Sequence, residues 1–105
     1  MNWDFFDHIW DPLNKWADAT FPCPRHPSGP INHLKKEIVE LEQSDYKSHE
    51  EWADLMILVI NGAHCAGLSC NDLFNAIVRK MAKNKKRVYN QVGADGVIEH
   101  DRSLD

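Results

Sequence analysis

The sequence has little of what marks secreted, membrane-spanning or disulfide-stabilised proteins. Its 105 residues include only three cysteines, Cys23, Cys65 and Cys70, and no CxxC pair, so we expect reduced thiols. The longest unbroken apolar run, residues 55–60, is far too short to span a bilayer. Acidic residues interrupt the opening turns, where a secretion signal needs an apolar stretch. We therefore expect a cytoplasmic chain with no membrane partner.

Helix breakers and alternating patterns are also scarce. Four of the five prolines lie within residues 22–30, and no useful length of chain alternates with a period of two. Hydrophobic residues make up 43% and charged residues 27% of the chain, which is typical of a globular protein. We predict an all-α domain of four to five helices over residues 1–89, followed by a C-terminal tail or arm over residues 90–105. We expect oligomerisation to complete the bundle, because a chain this short buries a modest core.

The predicted helices have local start and stop signals. The first helix should kink or restart at Pro12. Ser48, with Glu51 three residues later, forms a capping box for the third helix, and Ser69 is an N-cap for the fourth. The predicted spans are about residues 3–19, 31–43, 48–66 and 69–88.

Two carboxylate pairs with the same three-residue spacing lie on the second and third predicted helices. Glu37 and Glu40 share one side of the second helix, and Glu51 and Asp54 share a strip of the third with Asn61. The third helix is apolar nearly all round, a pattern typical of a buried helix. Buried carboxylates need a compensating cation. Four oxygen donors that converge from two helices suit Mg²⁺, or Mn²⁺, better than zinc.

The positive charges are unevenly distributed. The net charge is −4, which gives no reason to expect a nucleic-acid partner, yet residues 79–87 hold half of the twelve Lys and Arg residues. Lys80, Asn84 and Arg87 recur there at about one-turn spacing. This strip predicts a clamp for phosphate groups.

Each of these features also has a purely structural explanation. Acidic pairs are common on solvated helix faces, Glu51 can serve as a cap alone, and a basic last turn complements the helix dipole. A non-catalytic helical oligomer would use the acidic and basic strips as ion pairs between subunits. A di-iron bundle is disfavoured, because no ExxH motif accompanies the glutamates.

Several short motifs follow one another in a specific order. They are GPI-x-HL at 29–34, KEIVE at 36–40, EEWAD at 50–54, GLS at 67–69 and KMAKNKKRVY at 80–89. This combination resembles the MazG-like all-α nucleoside triphosphate pyrophosphohydrolases, whose signature is ExxE on one helix and ExxD on the next. It is most similar to their dATP/dGTP diphosphohydrolase subgroup, which bacteriophages often encode. Lys36 stands where the fuller EExxE form of the first motif has a glutamate.

The resemblance implies a Mg²⁺-dependent enzyme that converts a purine dNTP, dGTP and/or dATP, to dNMP and pyrophosphate. It also implies a homodimer or homotetramer, located in the host cytoplasm if a phage encodes it. The metal ligands implied by position are Glu37, Glu40, Glu51 and Asp54. The implied triphosphate contacts are Lys80, Asn84 and Arg87.

The chemistry of this reaction gives particular side chains expected roles. We expect attack at the α-phosphorus, with Glu40 orienting and deprotonating the water. Lys80 and Arg87 are expected to stabilise charge on the leaving pyrophosphate, which makes them catalytic candidates together with Glu40.

Recognition of the base is expected from the N-terminal helix and the loop at 22–30. The candidates for stacking are Trp3, Phe5, Phe6 and Trp10, although Trp10 and Trp16 also fit the hydrophobic core. The candidates for hydrogen bonding are Arg25, Asn32 and His33, and Asn61 is counted among the substrate contacts because a buried amide must be satisfied.

Overall fold

A computed structural model describes residues 4–22 and 24–104, so Trp3 and Cys23 lie outside the described residues. A π-helical turn, Phe6–Trp10, precedes α1, Asp11–Thr20. The other α-helices are α2, Ser28–Gln43; α3, His49–Cys65; and α4, Cys70–Lys85, and a 3₁₀ turn follows at Arg102–Leu104. The described part of the chain contains no β-strand, only an isolated bridge between Tyr89 and His100. The all-α prediction is confirmed.

The N-terminal segment changes helix type next to Pro12. The π-helical turn ends at Trp10, and Pro12 lies in the first turn of α1, so the change of helix type coincides with the proline at which a kink or restart was predicted. Asp4 Oδ1 accepts from the backbone N–H groups of Phe6 at 2.8 Å and Asp7 at 3.3 Å, which satisfies the exposed donors at the start of the segment.

The second helix begins three residues before the predicted start. It starts at Ser28, and the buried Pro30 lies in its first turn. Pro30 was predicted to belong to the preceding loop, whereas proline is well tolerated in a first helical turn. The end of α2 at Gln43 agrees with the prediction.

The helix starts that rest on local capping are confirmed. Ser48 Oγ accepts from the backbone N–H of Glu51 at 3.2 Å. Ser69 Oγ accepts from the N–H of Asp72 at 3.1 Å, while Asp72 Oδ2 accepts from the N–H of Ser69 at 2.9 Å. At the end of α3, Gly67 adopts a φ of +90°, a left-handed conformation that glycine tolerates without strain. Helix α4 ends at Lys85, earlier than predicted.

The chain divides into two compact units, Met1–Leu73 and Phe74–Asp105, with the division inside α4. In the first unit α2 packs along α3, and α1 also contacts α3. Its core cluster consists of Trp10, Ile60 and Cys70. The partly buried residues packed against this cluster are Phe5, Ile9, Leu13, Ala63 and Leu73. A domain boundary after residue 89 stays a prediction.

The second unit contains the rest of α4 and the C-terminal segment. This segment folds back on itself, because the N–H of Asn90 donates to the carbonyl of Glu99 and the N–H of Gly93 donates to that of Val97, both over 2.8 Å. The predicted C-terminal tail or arm therefore contains a short hairpin-like turn.

Helix α3 is only partly buried within the single chain, as expected for a helix whose burial is completed by oligomerisation. Trp52 is 51% exposed, Met56 56% and Val59 41%. Within one chain, α1 and α2 cover only part of the apolar surface of α3. Assembly into an oligomer that covers the rest of this surface stays a prediction. None of the described helices is by itself long and apolar enough to span a membrane, and only α3 and α4 taken together as a bent pair reach that length and hydropathy.

Candidate metal and nucleotide site

Three carboxylates meet where α2 packs against α3. Glu37 and Glu40 lie one turn apart on α2, and the Ser48 cap places Glu51 in the first turn of α3. One carboxylate oxygen from each of these residues lies within 4.8 Å of the others. We call Glu37, Glu40 and Glu51 the acidic triad. Helical spacing in the sequence predicted that the two acidic pairs face each other, and the triad joins residues from both.

The triad carboxyls share protons because their negative charges are so close. Hydrogen bonding to Glu37 is the main cause that raises the pKa of Glu51 to about 7, and desolvation and the neighbouring carboxylates add to it. The pKa of Glu40 is also raised, chiefly by its hydrogen bond to Glu37. The pKa of Glu37 is lowered, chiefly because it accepts from Glu40. Glu37 therefore carries the most stable negative charge of the triad.

The triad has oxygen atoms that the protein itself does not satisfy. Apart from the protons that the carboxyls share, no donor among the described residues reaches Glu37 Oε2 or Glu51 Oε2, and both atoms are buried. His33 Nε2 lies 3.0 Å from the other oxygen of Glu37. Buried carboxylate oxygens without donors are costly unless a cation compensates them. This donor set suits a hard divalent cation such as Mg²⁺ or Mn²⁺.

A cavity of about 550 Å³ adjoins the triad in the first unit. Glu37 and Asp54 line it, so Asp54 lies outside the triad but beside the same opening, and its charge helps to raise the pKa values of Glu40 and Glu51. His33 and Asn61 also line the cavity. Its apolar walls are Leu13, Trp16, Ala17, Phe21, Ile57 and Leu58. This volume lies in the range of small-ligand sites.

A buried polar network forms one wall of the cavity. Arg25 Nη1 donates to Asn61 Oδ1 over 2.8 Å, and Asn61 Nδ2 donates to Asn14 Oδ1 over 3.0 Å. Asn61 is 4% exposed and Asn14 is 3% exposed. The prediction that the Asn61 amide needs a partner is confirmed, and its partners come from α1 and from the loop before α2. Asn14 was not among the predicted site residues, because nothing in the local sequence distinguishes a functional asparagine on an amphipathic helix.

Comparison with known proteins places this arrangement in a family. The family model described as dATP/dGTP pyrophosphohydrolase matches residues 9–102 of the chain. The chain belongs to the dATP/dGTP pyrophosphohydrolase family. A dATP/dGTP diphosphohydrolase from Salmonella phage PMBT28 is 39% identical over 88 residues. That match covers 84% of this chain but only 29% of the phage protein's length.

A solved structure of the same class is similar across almost the whole chain. The Cyanophage S-2L MazG-like pyrophosphohydrolase, bound to dGDP and three catalytic Mn²⁺ ions per active site, has a TM-score of 0.76 and 30% sequence identity. The similarity covers 90% of this chain and 95% of that one. These comparisons confirm the MazG-like resemblance and the fold that the sequence motifs predict.

The aromatic residues that line the cavity of this pyrophosphohydrolase family member differ from those predicted to stack on a base. Trp10 is only 4% exposed and belongs to the core cluster, which leaves no ring face for a base, so the stacking assignment was wrong. Trp16 is 57% exposed and lines the cavity with Phe21, so its assignment to the core was wrong as well. The reason is that the packing of α1 against α3, not the helical period alone, decides which tryptophan is covered.

Of the remaining base-recognition candidates that the structure describes, two line the cavity. Phe5 packs against the core cluster, and Phe6 is exposed but does not line the cavity. Arg25 and His33 line the cavity, whereas the exposed Asn32 does not. Trp3 lies outside the described residues.

The basic strip of this family member lies in the second unit. Arg87 Nη1 donates to Asn84 Oδ1 over 3.2 Å, and both residues are half-buried, while Lys80 is exposed. The predicted spacing of one turn thus brings Asn84 and Arg87 together. Their role as phosphate contacts stays a prediction.

Proposed function

We propose that this chain hydrolyses a purine deoxynucleoside triphosphate, dGTP or dATP, to the monophosphate and pyrophosphate with the help of Mg²⁺ or Mn²⁺. The observation that carries the proposal is that Glu37 belongs both to the acidic triad and to the lining of the 550 Å³ cavity. A ligand whose nucleoside occupies the cavity therefore presents its phosphate chain to the carboxylates. The names and ligands of the phage relatives support the same substrate class.

The triad residues and Asp54 would hold the divalent ions. Metal ions bound there neutralise phosphate charge and make a nearby water more acidic. Glu37, with its lowered pKa, supplies a permanent carboxylate, whereas Glu51 has to lose a shared proton before it can act as a ligand. The acidic residues repel a triphosphate on their own, so the reaction depends on these ions.

Glu40 is the residue that we assign to activation of the attacking water. It is the exposed member of the triad, and its hydrogen bond to Glu37 raises its pKa towards the range in which a carboxylate accepts a proton efficiently. The attack is directed at the α-phosphorus, so that pyrophosphate is the leaving group. Lys80, Asn84 and Arg87 are proposed to bind the pyrophosphate portion and stabilise its charge.

The biological setting follows from the same reaction. A chain encoded by a phage would act in the host cytoplasm and lower the concentration of a canonical purine dNTP. Assembly as a homodimer or homotetramer, covering the exposed face of α3, is part of this proposal.

The proposal is tested with purified protein and the canonical dNTPs and NTPs, assayed with Mg²⁺, with Mn²⁺ and with EDTA. We expect dNMP and pyrophosphate to form from a purine dNTP only when metal is present. Glu51→Gln should reduce kcat at least about a hundredfold, since it removes a ligand charge. The matched control is Glu50→Gln, which changes the neighbouring exposed residue outside the triad and should retain activity.

The outcome of this test also bears on the non-catalytic alternative. If no triphosphate is hydrolysed and Glu51→Gln instead dissociates an oligomer, the acidic residues act as intersubunit ion pairs and the enzymatic proposal is wrong. Circular dichroism and size-exclusion chromatography of each variant separate this outcome from simple unfolding.

A further inference from the structure

Arg25 is held in one orientation at the cavity wall. A guanidinium only donates hydrogen bonds, so the Asn61 oxygen must face Arg25 and the Asn61 amino group must face the Asn14 oxygen. With both ends of the buried Asn61 amide bonded, the amide has no alternative orientation. The ring of Phe21 lies under the guanidinium, with its centroid 4.5 Å from Arg25 Cζ. Two independent contacts therefore fix the plane of Arg25.

This positioned cation has no anionic partner within the part of the chain that the structure describes. No carboxylate among residues 4–22 and 24–104 forms an ion pair with Arg25, although the residue is half-buried. Asn61 accepts from only one of the five N–H groups of the guanidinium. Arg25 consequently offers several directed donors in a cavity whose walls are largely apolar.

Arg25 and two of the carboxylates, Glu37 and Asp54, line the same cavity but meet different positions along α3. The partner of Arg25, Asn61, follows Asp54 by seven residues and Glu51 by ten, which corresponds to about 10–15 Å along the axis of α3 at 1.5 Å per residue. When the phosphates are held at these carboxylates, the part of the nucleotide that extends towards Arg25 is the base.

We propose that Arg25 reads the O6 and N7 acceptors of a guanine base, which makes the chain selective for dGTP over dATP. A guanidinium pairs with these two acceptors through two N–H groups, whereas adenine presents an amino donor in place of O6. Asn61 and Asn14 are positioning residues for Arg25. This inference rests on the proposed function, because it assumes that a purine nucleotide occupies the cavity.

The test compares kcat/KM for dGTP, dITP and dATP in the wild type and in Arg25→Gln. The base of dITP keeps O6 and N7 but lacks the 2-amino group, so it isolates the edge that Arg25 is proposed to read. We expect Arg25→Gln to lower kcat/KM about tenfold or more for dGTP and dITP, and less than about threefold for dATP. Arg102→Gln, at an exposed position outside the cavity and the basic strip, should leave all three values unchanged.

Equal losses for all three substrates would overturn the proposal, because they would mean that Arg25 contacts a phosphate or the sugar. An unchanged ratio of dGTP to dATP would overturn it as well. If Arg25→Gln does not fold, Arg25→Lys replaces it. An ammonium is a single point charge and does not bond both acceptors in a fixed plane, so the ratio should still fall.

A binding measurement separates this inference from the proposed reaction. Calorimetric titration of the wild type with dGMP and with dAMP in the presence of Mg²⁺ requires no turnover. Tighter binding of dGMP that Arg25→Gln abolishes supports base reading even if no triphosphate is hydrolysed. Equal binding of dGMP and dAMP by the wild type contradicts it even if hydrolysis is observed.

Discussion

The pKa of Glu51 depends on residues from a second helix. The sequence position of Glu51 explains a helix cap, and packing of α3 on α2 then brings its carboxyl to Glu37 and Glu40. The resulting pKa of about 7 reflects the shared proton with Glu37 first and desolvation second. No pattern within α3 alone predicts that shift, because its main cause is a residue on another helix.

Without metal, the pKa of Glu51 should make stability depend on pH. The folded pKa lies above the ordinary value of 4.5, so the folded chain binds more protons than the unfolded chain between about pH 4.5 and 7. The free energy of unfolding should therefore fall as pH rises through this window. The raised pKa of Glu40 also makes the free energy of unfolding fall as pH rises. The lowered pKa of Glu37 has the opposite effect, because it makes the free energy of unfolding fall as pH decreases below 4.5.

Urea unfolding at a series of pH values in EDTA measures this dependence. Glu51→Gln should flatten the curve between pH 4.5 and 7, and Glu50→Gln should leave its slope as in the wild type. A wild-type curve that rises across the window would show that Glu51 does not hold a shared proton.

Metal binding should release the same proton. A divalent ion needs the ionised carboxylates, so the apparent affinity for Mg²⁺ or Mn²⁺ should increase as pH rises through about 7. Calorimetric titration with Mn²⁺ at pH 6 and pH 8, in buffers of different ionisation enthalpy, measures both the affinity and the number of protons released. Equal affinity at both pH values, with no proton release, would contradict a metal site at the triad.

Asn14 is the residue whose contribution to the fold is easiest to isolate. It is almost completely buried and accepts from Asn61, so Asn14→Ala should lower the free energy of unfolding by about 1–3 kcal/mol. Asn32→Ala, at an exposed position of α2, serves as the control and should change it by less than about 0.5 kcal/mol. Urea denaturation that ranks the two variants equally would show that the polar network contributes nothing to the fold.

At the scale of the helices, the start of α3 links a capping interaction to the site. Ser48→Ala removes the acceptor for the N–H of Glu51 and should lower stability by about 1 kcal/mol. Ser69→Ala removes the equivalent cap of α4 and should have a similar effect on stability. Only Ser48→Ala should also weaken Mn²⁺ binding, because Glu51 lies in the turn that Ser48 fixes. A comparable loss of Mn²⁺ affinity in both variants would argue against this link.

The helix boundaries also show which features a sequence reveals. The starts of α3 and α4 depend on side chains within four residues, and those predictions hold. The start of α2 was predicted late, because the same proline can end a loop or open a helix. The choice between Trp10 and Trp16 as the buried residue depends on how α1 meets α3, which periodicity does not determine.

For the whole molecule, the order of the motifs predicted the fold and the site better than the composition did. Size and charge led only to a small acidic helical protein, whereas two acidic pairs on consecutive helices predicted where carboxylates converge. The cavity was beyond prediction, since its walls come from α1, α2, α3 and the loop after α1. Arg25 shows this limit best: the loop made it a candidate, but only the fold joins it to Asn61.

In the proposed reaction, water attacks the α-phosphorus of a purine dNTP at the acidic triad. The most direct measurement is hydrolysis of dGTP in H₂¹⁸O with Mg²⁺, followed by mass spectrometry of the products. We expect one ¹⁸O atom in dGMP, none in pyrophosphate, and at least about a hundredfold slower formation of both products by Glu51→Gln. Label in pyrophosphate, or release of dGDP and orthophosphate, would contradict it.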